Sequence, residues 1–177
     1  MTTTEPNAAG ETQEMPCPKA EPQMEHDWLH RLIGDWDCEM ECSMGPDKPP
    51  MKTTATESVR SLGGLWTVGE GHCDGPDETP MTSIMTLGYD PSKQKFVGTF
   101  VASMMTHLWV YEGTLDASGN VLTLDTEGPS ATGDGTIARY QDIIEFVNGD
   151  HRTLRSKTPG EDGVWQEFMV AHYRRKR

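Results

Sequence analysis

No stretch of this chain is apolar for more than a few residues, which excludes a membrane-spanning helix. The opening Met1-Thr2-Thr3-Thr4-Glu5-Pro6 has neither the basic nor the apolar region of a signal peptide, so a cytoplasmic location is expected, without a membrane partner. Positive charge is scarce: 15 Lys and Arg stand against 28 Asp and Glu, a net charge of -13 that repels a phosphate backbone and argues against nucleic acid as partner. The one dense basic run, Arg174-Arg175-Lys176-Arg177, reads as a solvated tail. Only four cysteines occur, at 17, 38, 42 and 73, with no Cys-x-x-Cys spacing. On one strand Cys38 and Cys42 would sit about 13 Å apart, beyond the roughly 7 Å that a disulfide tolerates. Free thiols in a reducing compartment follow.

Catalytic signatures are missing as well. Gly63-Gly64 lacks the helix and Lys of a phosphate loop, and no Gly-x-Ser-x-Gly elbow, His-Glu-x-x-His pair or EF-hand loop occurs. The Asp74-Gly75-Pro76-Asp77 turn lacks a full calcium ligand set. No metal site and no catalytic residue is assigned, and the balance leans away from an enzyme.

What the chain does have is alternation. From Asp35 to Cys42 every odd position is acidic and every even one is Trp, Cys or Met, the period-two pattern of a strand with one wet and one buried face. Before it, Glu25 to Ile33 carries apolar residues three and four apart, a short amphipathic helix that Gly34 separates from the strand. Residues 1–22, with four prolines and almost nothing to bury, read as a disordered leader, and residues 23–177 as one domain. Turn clusters then divide the chain into further strands, expected at 51–62, 65–73, 81–87, 95–102, 107–115, 121–126, 136–147, 152–157 and 164–174. Asn148-Gly149 suits a type I′ hairpin turn. About ten strands joined by short turns, and no second helix, give an all-β class. An up-and-down antiparallel barrel removes the sheet edges and is favoured over a Greek-key sandwich.

The order of several short motifs is more specific. Glu25-His26-Asp27-Trp28-Leu29 with Gly34-Asp35-Trp36, Glu57 to Trp66, Thr86-Leu87-Gly88-Tyr89-Asp90-Pro91, Ser103 to Gly113, and Ala171 to Lys176 together resemble the bacterial family called domain of unknown function 1579. The resemblance runs from about residue 24 to the C-terminus and implies a lipocalin-like, or calycin, barrel. It brings no activity with it. It also implies that Gly34-x-Trp36 opens the barrel and that Arg174 or Arg175 closes it by lying on the indole, a structural contact.

Three faces carry candidate chemistry. His107, Trp109 and Tyr111 alternate along one strand: pointing inward they would line a ligand cavity, and pointing outward they would mark a homodimer surface. Trp66, Glu70 and His72 share a face of the third strand, where Glu70 and His72 read as an acid–base pair or a solvated ion pair. Tyr140 and Asp142 on the eighth strand carry the same ambiguity. A soft-metal site from Cys38, Met40 and Cys42 with His72 or His107 is outweighed by ordinary core packing. Haem held by His72 or His107 rests on fold analogy alone, so the cofactor stays unknown. The expectation is a barrel that binds a small, partly apolar molecule in its lumen through His107, Trp109, Tyr111, Trp66, Glu70 and His72. Its alternatives are an enzyme site at the barrel mouth and a solid-cored dimerisation or interaction module.

Overall fold

The computed structural model describes residues 20–43, 45, 48–75, 78–160 and 162–177. Most of the expected leader, residues 1–19, and Cys17 with it, lies outside them. A seven-residue helix, α1 (Met24–His30), is followed by ten strands: β1 (Gly34–Cys42), β2 (Met51–Leu62), β3 (Trp66–Asp74), β4 (Pro80–Asp90), β5 (Lys95–Ala102), β6 (Trp109–Leu115), β7 (Val121–Pro129), β8 (Ile137–Asn148), β9 (His151–Pro159) and β10 (Trp165–Arg175). Each strand pairs antiparallel with its sequence neighbours, and β10 pairs with β1, which closes an up-and-down barrel. Closure gives each of these ten strands, among the described residues, a partner on both sides. No helix among the described residues is long and apolar enough to cross a membrane.

Along each strand, side chains alternate between the lumen and the outer surface. On β1 the even positions Trp36, Cys38, Met40 and Cys42 point inward, and the acidic odd positions point out. One end is packed solid. There α1 lays Trp28 and Leu29 across the opening, and these pack with Leu32, Trp36, Val59, Leu87, Phe96, Leu122, Leu124, Ile144 and Phe146. Trp28 meets Phe96 and Phe146 edge-on at 5.6 and 5.3 Å, and its Nε1 donates to the Gly119 carbonyl at 3.1 Å. The helix is too short to be stable alone; burying this face is what holds it.

First and last strands meet at Trp36. Its indole is fully buried, Nε1 donates to the Leu32 carbonyl at 2.8 Å, and the Arg175 guanidinium lies 4.2 Å from the ring centre. Of the two arginines considered for this contact, Arg175 makes it, since it is the residue paired with Trp36 across β1 and β10.

Two local expectations need correction. The expected sixth strand begins at Trp109 instead of His107, because pairing with β5 ends at Phe100–Trp109. At the β8–β9 turn Asn148 pairs with His151, and none of Asn148, Gly149 and Asp150 has left-handed backbone. The turn is therefore not type I′, and a register shift between Phe146 and Asn148 accommodates it instead.

Candidate functional site

Moving along each strand from the packed end, the inward side chains turn polar and then the interior opens. On β2 the inward order is Val59, Glu57, Ala55; on β8 it is Phe146, Ile144, Asp142, Tyr140; on β9 it is Arg152, Leu154, Ser156. Beyond the hydrophobic cluster lies a cavity of about 490 Å³ that opens through the end opposite α1. Its outer wall is apolar, with Met81, Met85, Phe100, Met105, Trp109 and Phe168 among its residues. The barrel is hollow at this end, which removes the solid-cored alternative.

Two polar groups form the cavity floor. Arg152, 3% exposed, reaches from β9 to β2, where its Nη2 donates to Glu57 Oε2. Its guanidinium carbon lies 3.8 Å from the Tyr173 ring centre and 4.8 Å from that of Trp36, while its Nε has no hydrogen-bond partner. The second group is centred on Asp142. Tyr111 Oη donates to Asp142 Oδ2 at 2.6 Å and Ser156 Oγ donates to Oδ1 at 2.5 Å. Burial pushes the Asp142 carboxyl above the ordinary carboxylate range, opposed in part by the Ser156 and Tyr111 hydrogen bonds. The Tyr111 phenol is raised by burial and then by the neighbouring Asp142 charge. Cys38, beside Tyr173 across β1 and β10, is pushed up to about 11 by burial, so its thiol stays protonated at neutral pH.

At the mouth, aromatic rings follow one another edge-on. His107 meets Trp109 at 4.9 Å, Trp109 meets Tyr140 at 5.1 Å, and Tyr140 meets Phe168 at 6.1 Å. Trp109 fits because β7 has Gly128 beneath it, where a Cβ would lie 2.3 Å from the indole.

The six sequence candidates therefore separate. Trp109 and Tyr111 face the lumen and line the cavity. His107 precedes β6 and sits outside the cavity, its Nε2 3.1 Å from the Glu127 carbonyl oxygen. Trp66 and Glu70 lie on the outer face of β3, and His72 reaches only the cavity rim. The reason is that β3 turns its small residues inward: Thr67, Gly69, Gly71 and Cys73. Trp66 covers Gly88 on the outer surface, and His72 Nε2 meets Glu70 Oε1 at 3.2 Å with both side chains more than half exposed. Of the acid–base candidates Glu70, His72, His107 and Tyr111, Glu70 and His72 meet as an exposed pair at the rim, while His107 and Tyr111 have other partners. Neither His72 nor His107 offers the lumen an axial imidazole, so the cavity does not fit haem held in that way. Among the described residues no three His, Cys, Asp or Glu side chains gather as a metal site. The sequence pattern does not single out Glu57, Arg152 and Ser156. They alternate with outward polar residues of similar type, and only pairing across strands shows that they meet.

The family described as Protein of unknown function (DUF1579) matches residues 21–175. The chain belongs to this family. Solved structures similar to this DUF1579 barrel include Rv2717c from M. tuberculosis, at 15% identity and TM-score 0.59, covering 85% of this chain and 96% of that one. Another is the S-type phycobiliprotein lyase CPES from Guillardia theta, at 11% identity and TM-score 0.60, covering 86% and 93%. These likenesses establish the fold shared with the DUF1579 chain. No curated protein matches it.

Proposed function

We propose that this barrel binds one small, partly apolar molecule in its lumen. The observation that carries the reading is the open cavity of about 490 Å³, largely apolar at its walls and with buried charged groups at its floor. Its volume lies within the range of small-molecule sites, and a few buried polar groups under an apolar wall are how such sites fix orientation. An empty apolar pocket of this size also lacks a packing purpose, since filling it with side chains would stabilise the fold. The ligand enters past the aromatic row of Trp109, Tyr140 and Phe168 and meets the Tyr111–Asp142–Ser156 and Arg152–Glu57 groups at the base.

The test uses the neutral fluorescent probe N-phenyl-1-naphthylamine, whose emission rises in apolar surroundings. One probe is expected to bind per chain. Ala55→Trp, which places an indole in the lumen from β2, is expected to weaken binding at least about 10-fold while leaving the chain folded. Probe binding that is unaffected by the blocked lumen, or absent from the unmodified protein, would refute the reading.

A further inference from the structure

Resting on that reading, we infer that the lumen selects an amphipathic amine: a protonated nitrogen held at Asp142, with an alkyl or aryl body against the methionine and aromatic wall. The inference begins with the charges that face the cavity. Arg152 and Glu57 neutralise each other, and the Arg152 guanidinium is further held over the Tyr173 and Trp36 rings. Asp142 has no such partner. Its two hydrogen bonds come from the uncharged hydroxyls of Tyr111 and Ser156, and no Lys, Arg or His contributes to its ionisation. Burial without a counter-charge favours its neutral acid, and the described residues supply no cation that would hold the carboxylate. A cationic ligand would supply that counter-charge.

The donors of the ligand and the rings of the wall point the same way. An ammonium group has several donors, enough to engage the Asp142 carboxyl, whose two oxygens otherwise meet only uncharged hydroxyls. The rings of Trp109, Tyr111 and Tyr140 on the same wall also favour a cation over an anion. A carboxylate ligand is the less suitable occupant. With Arg152 already paired to Glu57, it would add a third acidic group to a low-dielectric floor that already holds two, Glu57 and Asp142. The chain's net charge of -13 repels anions from solution as well.

Three probes of one tail length separate the possibilities: octylamine, octan-1-ol and octanoate, each displacing N-phenyl-1-naphthylamine from the full chain at pH 7. Octylamine is expected to bind roughly 10- to 100-fold more tightly than octan-1-ol, the gain of a charge-assisted hydrogen bond, and octanoate more weakly than either. Asp142→Asn, checked for folding by its circular dichroism melt, is expected to bring the amine to within about 3-fold of the alcohol. Ser156→Ala keeps the carboxylate and is expected to keep the preference. The comparison on the unmodified protein decides the matter even if Asp142→Asn does not fold. If the alcohol binds as tightly as the amine while the naphthylamine probe still occupies the lumen, the amine inference fails and the lumen reading stands. If the naphthylamine probe does not bind at all, the lumen reading itself fails.

Discussion

At the scale of single residues, Trp36 and Arg175 do the work of closing the ring. The strand pair they join is the first and the last, so their contact links opposite ends of the chain. Arg175 donates to the Ile33 carbonyl at 2.6 Å and to the Arg31 carbonyl at 3.0 Å while its guanidinium lies over the indole. It thereby also ties the turn after α1 to β10. Gly34 is required for this: its φ is +132° and a Cβ there would lie 2.4 Å from Arg175 Nη1. Trp36→Ala is expected to cost about 3–5 kcal/mol by leaving a large cavity in the packed end. Arg175→Ala should cost less, about 1–3 kcal/mol, because it removes hydrogen bonds and a cation–π contact but little core volume. Urea denaturation measures both, and an unchanged midpoint for Trp36→Ala would contradict the closing role.

At the scale of strands, what was readable in the sequence was periodicity, and what was hidden was its sign. The acidic odd positions of β1 declare their face, because four carboxylates in a row cannot share a core. On β6 the alternation of Trp109 and Tyr111 with Val110 and Glu112 groups the right residues, yet either face could pack. On β3 the large side chains attract attention while the small ones face inward, as a hollow barrel needs: Gly69 leaves room for the Glu57 carboxylate, with 3.0 Å between its Cβ position and Oε1. The polar floor was not legible for a different reason. Arg152 and Glu57 are 95 residues apart, and their meeting depends on the barrel closing between β10 and β1. The same reasoning yields a test at the β6–β7 pair. Gly128→Ala places a methyl group where the Trp109 ring now lies, so the indole must swing away from the cavity wall. The expected result is a changed tryptophan emission and weaker binding of the naphthylamine probe, by about 3- to 10-fold, with the main-chain fold kept. Unchanged probe affinity would show that Trp109 is not part of the binding wall.

At the scale of the whole molecule, the barrel divides its labour between its ends. The α1 end carries the fully buried Leu29, Leu122 and Leu124, and with them most of the apolar packing. The mouth end gives up packing to keep a cavity, and its residues are correspondingly open: Met105 is 38% exposed and Phe168 37%. Phe168 is placed there by the β10 bulge between Glu167 and Met169, which lets an extra residue turn toward the lumen. Stability and binding should therefore respond to different substitutions. Leu29→Ala removes a side chain that plugs the closed end and is expected to cost about 2–5 kcal/mol, with the dissociation constant of the naphthylamine probe unchanged. Phe168→Ala exposes little new cavity and is expected to lower stability by less than about 1 kcal/mol, while weakening the probe by about 3- to 10-fold through lost apolar contact. Melting curves and probe titrations on the two variants check the division directly. If Leu29→Ala weakened binding as much as Phe168→Ala at a temperature where both are folded, the two ends would be mechanically coupled, and the barrel would have to be treated as one deformable site.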